Sequence, residues 1–126
     1  MANKSDEILH REISEIDYLL VLHITELRIK KGLTQLQLSQ KMKLADGFVS
    51  KVETLTERAK YNIRHLPLLA KALGVEIENL IPQKSPIYDL VILTLKKTNK
   101  INNDGSISTK KVIEVISIEP ISKNED

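Results

Sequence analysis

The chain of 126 residues contains no cysteine, so disulfides and thiolate metal sites are excluded. It has only four glycines, none of them clustered, and therefore no Gly-rich phosphate loop. No apolar run approaches the ~20 residues that a membrane-spanning helix needs. The opening stretch, MANKSDEILHREISEID, is polar and charged and does not read as a secretory signal. A soluble, cytoplasmic protein is the expectation, with no membrane partner. Aromatic residues are scarce at 3%, and Tyr18, Tyr61 and Tyr88 do not interleave along one strand, which argues against a base-stacking platform for RNA. His10, His23 and His65 lie far apart without the acid or cysteine spacing of a zinc site, and read as surface or packing residues. No Ser, His and Asp group follows a nucleophile-bearing turn, so no catalytic residue, metal or cofactor is assigned and an enzyme is not expected.

What is present is enough apolar residue (41%) for one core, and an uneven charge. The overall charge is +2, but residues 1–25 are acidic, with two bases against five acids. Residues 26–71 carry ten Lys or Arg against four Asp or Glu. Such a stretch suits a polyanion, because each neutralised phosphate releases condensed counterions. A solvated, Lys-rich helical surface accounts for the charge equally well.

The spacing of Ile13, Ile16, Leu20, Ile24 and Leu27 predicts one long helix, or two abutting ones, over 6–31. Ser5 or Ser14 would cap it, Ser14 with Asp17 three residues on. Lys30, Lys31 and Gly32 form a stop signal. Thr34 caps a short helix, TQLQLSQKM, with Leu36, Leu38 and Met42 as its packing residues. After the break KLA comes a second, DGFVSKVE. Residues 54–62 read as a polar loop, and Asn62 as the cap of IRHLPLLAKAL, with Ile63, Leu66, Leu69, Ala70 and Leu73 as its stripe and Gly74 as its end. Val75 to Leu80 form a last helical turn. Beyond Pro86, YDLVILTLKK and KVIEVISIE read as two strands, and Asp104-Gly105 as a type I′ turn between them. From Ser122 a frayed tail is expected.

Two short helices with a three-residue break must cross steeply, which is the geometry of a helix-turn-helix. The second helix then presents Asp46, Gly47, Ser50 and Lys51 outward, short enough for the major groove, while Phe48, Val49 and Val52 anchor it. Ser39 is the small residue at the crossing. Leu27, Arg28, Gly32, Leu33, Thr34, Gln35 and Leu38, with Val49 to Glu53 and a second block from Leu69 to Val75, resemble the phage-repressor (Cro and XRE-like) helix-turn-helix family over residues 27–81. The resemblance implies a mainly α fold, a five-helix lambda-repressor-like helix-turn-helix bundle, here with an N-terminal helical extension and a C-terminal β-hairpin.

The resemblance also implies roles. Lys51, Ser50, Gly47 and Asp46 fall on base-reading positions. Gln35 would touch a phosphate and brace the reading helix, and Lys43, Arg58 and Lys60 border the motif as phosphate contacts. Ser39, Val49, Val52, Glu53 and Arg28 are structural, Glu53 through a pairing with Arg28. Three positions depart from the family pattern. Lys43 stands where the turn usually has glycine, Ala45 stands where a capping Ser or Thr is usual, and the loop from Thr54 to Asn62 is longer. Asp46 is then either the helix cap or an acceptor for cytosine N4. Lys51 reaches guanine O6 or N7, or a phosphate.

The expected partition is an N-terminal helical extension at 1–26, a DNA-binding domain at 27–83, a hairpin at 84–121 and a disordered tail at 122–126. Both hairpin faces look largely apolar, Val112, Ile116 and Ile118 opposing Ile113 and Val115, so the hairpin needs a cover. That cover is the chain's own N-terminal helix or a second subunit, the latter giving a homodimer through residues 87–119. The function implied is sequence-specific binding of double-stranded DNA by a repressor-type transcription regulator, with no small-molecule ligand. The alternatives are a protein-interaction module of the same fold that no longer binds DNA, and an antitoxin or restriction-controller component.

Overall fold

The computed structural model describes residues 6–121. Ser5 as a cap and the frayed tail from Ser122 fall outside the described residues. The chain forms two compact units, one spanning Ser14–Asp89 and one built from the segments up to Ile13 and from Leu90 onward.

The fold is neither mainly α nor a five-helix bundle. The described residues form four α-helices and a three-stranded sheet. The N-terminal extension is the first departure. Residues Glu7–Ser14 form strand β1, not a helix. Two periods fit this stretch. Ile13, Ile16 and Leu20 keep helical spacing, but Leu9, Arg11 and Ile13 alternate with the more exposed Ile8, His10 and Glu12, and the period of two wins. The helix begins only where Ser14, in extended conformation, accepts a hydrogen bond from the Asp17 amide at 3.1 Å while its hydroxyl donates to Asp17 Oδ2 at 2.6 Å.

In the helical unit, α1 spans Glu15–Lys30 and buries Tyr18, Val21 and Ile24. Ile16, expected on that stripe, is exposed. Gly32 ends the helix at φ +72°, as the Lys-Lys-Gly signal requires. Helix α2 spans Gln35–Lys41 and opens with a full capping box between Thr34 and Gln37. Its Leu38 is wholly buried, whereas Leu36 is exposed. Helix α3 spans Phe48–Thr54 and buries Val49 and Val52. Helix α4 spans His65–Leu73 and starts later than the Asn62 cap predicts. Asn62 instead donates its backbone N–H to His65 Nδ1 at 2.8 Å and accepts the His65 N–H at 2.9 Å, leaving Ile63 outside the helix and exposed. Gly74 closes α4 at φ +69°. The fifth helical segment is one 3₁₀ turn, Ile77–Leu80, anchored by buried Leu80.

In the sheet unit the strand order is β1-β2-β3, with β2 at Leu90–Ile101 and β3 at Ile107–Pro120. The hairpin is therefore part of a three-stranded sheet. Its turn is not type I′, which needs positive φ at both central residues. Only Gly105 has it, at +87°, and Asp104 accepts the Ser106 amide through Oδ1. β2 and β3 pair antiparallel, with a register shift between Thr94 and Leu95 that leaves Ile116 as an extra residue. Opposed residues share a face, so Leu93 sits beside Ile118 while Leu95 sits beside Val115. Ile118 thus leaves the face expected for it. One face carries buried Val91, Leu93 and Leu95; the other mixes Ile92 and Val112 with Thr94, Ser117, Lys96 and Glu114. The hairpin does not have two apolar faces.

Candidate nucleic-acid interface

The α2–α3 pair is joined by two polar locks. The first is Ser39, fully buried on α2. Its hydroxyl donates to the Gln35 carbonyl at 2.9 Å and accepts the Val49 amide at 3.0 Å. A hydroxyl does both at once. The Val49 amide lies in the first turn of α3, where amides have no partner within the helix. Ser39 is therefore the cap of α3, supplied by the neighbouring helix. The N-cap position itself, Gly47, makes no side-chain cap bond, and Asp46 does not cap the helix. Ala45 is tolerated because the Phe48 amide, which a Ser or Thr side chain at 45 would bond, is already held by the Ala45 carbonyl at 3.0 Å.

The second lock joins α1, α2 and α3. Arg28 holds Glu53 through two parallel bonds, Nε to Oε2 at 2.8 Å and Nη2 to Oε1 at 2.9 Å. Its third donor, Nη1, reaches the Leu33 carbonyl at 2.8 Å. Gln35 donates to Glu53 Oε1 at 2.9 Å. The two charged side chains are 12% and 8% exposed, so the pair is largely dry and its bonds are charge-assisted. Beneath them Val49 and Val52 are fully buried.

The turn between the helices needs a left-handed residue, and Lys43 supplies it at φ +60°. A side chain there costs roughly 1 kcal/mol that glycine would avoid. Leu55 closes α3 in the same region, at φ +64°, with its side chain buried.

On the outer side of α3, Asp46, Gly47 and Lys51 are exposed and Ser50 is half-buried. These four side chains or positions lie together at one end and along one face of the helix. Lys43 and Arg58 are exposed beside the motif in sequence. Lys60 is exposed as well but approaches Asp17 at 3.7 Å, a surface pair of little strength. Gln35 is half-buried and its amide is engaged by Glu53.

Local reading of the sequence missed the aromatic base under α3. Phe48 packs against His65 with ring centroids 4.8 Å apart and against Tyr61 at 5.9 Å. Tyr61 and His65 are almost fully buried, and neither Tyr61 Oη nor His65 Nε2 has a hydrogen-bond partner among the described residues. Burial, then the nearby Arg64, lowers the His65 pKa below its ordinary value. Burial, with the Glu53 carboxylate, pushes the Tyr61 hydroxyl well above its usual range. The one available signal was that the only Phe and two further ring residues fall within 18 positions, on either side of a loop.

No family model and no curated protein matches the chain. Among the solved structures similar to parts of it are the following two. One is a hypothetical transcription factor, NHTF, from Neisseria, with 26% identity over 54% of this chain and 77% of that chain, at a TM-score of 0.47. The other is a point mutant of the restriction-modification controller protein C.Esp1396I, with 27% identity over 53% of this chain and 87% of that chain, also at 0.47. Likenesses at this score leave the weight on the geometry of α2 and α3.

Proposed function

We propose that this chain binds double-stranded DNA sequence-specifically as a transcription regulator of repressor type, with α3 entering the major groove. The observation that carries the reading is the rigid attachment of α3. A helix held by the Ser39 hydroxyl, by the Arg28–Glu53–Gln35 cluster and by an aromatic base leaves its outer face free of packing duties. That face carries only small or polar groups around Lys51, so it can approach base edges closely. Lys51 is the base-reading residue, with Ser50, Gly47 and Asp46 beside it, while Gln35, Lys43, Arg58 and Lys60 meet the phosphates. Two chains would pair through residues 87–119, and two-fold dimers of helix-turn-helix proteins read half-sites ~34–36 Å apart. Ile118 on one face of β3, Val112 on the other and Ile116 at the register shift are all exposed, which leaves apolar surface on this strand for such pairing.

Asp46 favours a second reading, a protein-interaction module. It is exposed at the start of α3 and spends no bond on capping, so it meets an approaching phosphate as a like charge. Duplex binding measured across a salt series separates the two. The regulator loses affinity steeply as salt rises, whereas the module binds weakly at every salt concentration.

A further inference from the structure

A groove of about 320 Å³ lies between the C-terminal ends of α2 and α4, lined by Lys41, Met42, Lys43, Leu68, Lys71 and Ala72. No residue of α3 lines it, nor does any residue of the two polar locks on α3. Its floor is apolar, from Met42, Leu68 and Ala72. Its rim carries three ammonium groups and no acid. Among the described residues none of these lysines forms an ion pair. We propose that this groove is a docking site for an acidic segment of a partner protein that carries an aliphatic anchor.

Lys41 and Lys71 each stand in the last turn of their helix, where a cation offsets the negative end of the dipole. That accounts for two of the lysines, and the third, Lys43, borders both this groove and the phosphate path of the proposed function. Lys43 is held beside them by a left-handed backbone that glycine would adopt more easily. The helix dipoles do not account for an apolar floor between the charges. A compact phosphate would engage the ammonium groups but leave Met42, Leu68 and Ala72 uncovered. A duplex backbone offers phosphates but nothing to seat on Met42, Leu68 and Ala72. A peptide satisfies both parts of the surface: an aliphatic side chain covers the floor, and carboxylates on either side reach the outward-pointing ammonium groups. The rim charges also set a long-range attraction for an acidic partner.

The test uses the full chain and two labelled decapeptides of Glu and Ser, one with two Leu and one with Ser in their place, so that charge is equal. Fluorescence anisotropy should show the Leu peptide binding at least about tenfold more tightly than its control. Lys41→Gln combined with Lys71→Gln should weaken the Leu peptide about tenfold, and Ala72→Arg, which fills the groove, should do so on its own. Lys96→Gln with Lys97→Gln on β2 should leave peptide binding unchanged. Duplex affinity and molecular mass should stay as they are in the Lys41/Lys71 variant. The proposal is overturned if neither peptide binds or both bind equally. It is also overturned if that variant loses duplex affinity with a shallower salt slope, which makes the rim a phosphate surface, or if it changes the mass of the protein, which makes the groove a contact between copies.

Discussion

Replacing Glu53 by glutamine removes one charge and almost no volume, so it isolates the electrostatic part of the lock on α3. Arg28 would keep its bond to the Leu33 carbonyl, and the new amide oxygen could still accept one donor. It would lose its counter-charge at a site where it is only 12% exposed. Breaking a buried pair from one side costs about 3–5 kcal/mol, because the remaining charge stays desolvated and unpaired. The residual exposure and the surviving bonds place Glu53→Gln at the lower end, about 3 kcal/mol. For a domain of this size that lowers the melting temperature by roughly 10 °C or more. Urea titration followed by helical circular dichroism measures the loss directly, and the slope with denaturant should not change. Arg28→Met together with Glu53→Leu removes both charges, and should cost less than the two single changes added together by about 2 kcal/mol. A Glu53→Gln variant within about 0.5 kcal/mol of the parent, or strict additivity in the cycle, would refute the argument that this cluster fixes α3.

Three further outcomes follow from the same geometry. Ser39→Ala leaves the Val49 amide buried without an acceptor and should cost about 1–3 kcal/mol in the same titration; no loss means that the amide finds another partner. Lys43→Gly relieves a left-handed side chain but frees the unfolded chain, so stability should rise by less than about 1 kcal/mol, whereas Lys43→Val should lower it. His65 has its pKa lowered in the fold, so the unfolded chain takes up a proton near 6.5 that the folded chain resists. Stability contributed by neutral His65 is therefore complete above that value and is lost as pH falls through it toward the lower folded pKa. A His65→Phe variant should lose this part of the pH slope, and an unchanged slope would remove His65 as its source.

The parts of the fold legible in the sequence are those set by local chemistry. Ser14 and Thr34 start helices because their hydroxyls reach amides three residues on, and Gly32 and Gly74 end them because the chain there turns left-handed. The parts that were not legible depend on partners distant in sequence or on competing periods. Asp46 looks like a cap only while Ser39, seven residues earlier and bonded to the Val49 amide, is out of view. Residues 7–14 satisfy both a helical and a strand spacing, and pairing with β2 within the sheet decides between them. The extra residue at Ile116 reverses the alternation of β3, so a face drawn by counting every second position misplaces Ile118. On the candidate interface, the exposed positions of α3 follow from the buried Val49 and Val52, whereas the Phe48, Tyr61 and His65 base does not follow from any helical or strand period.

Selection of bound duplexes from a random pool, run in parallel on the parent chain and on Lys51→Ala, tests the central claim most directly. The account predicts a defined motif for the parent and, for Lys51→Ala, the same motif with preference relaxed at one base position and a loss of about 1–3 kcal/mol. Recovery of no motif from the parent chain, or an identical motif from both proteins, would contradict α3 as the reader.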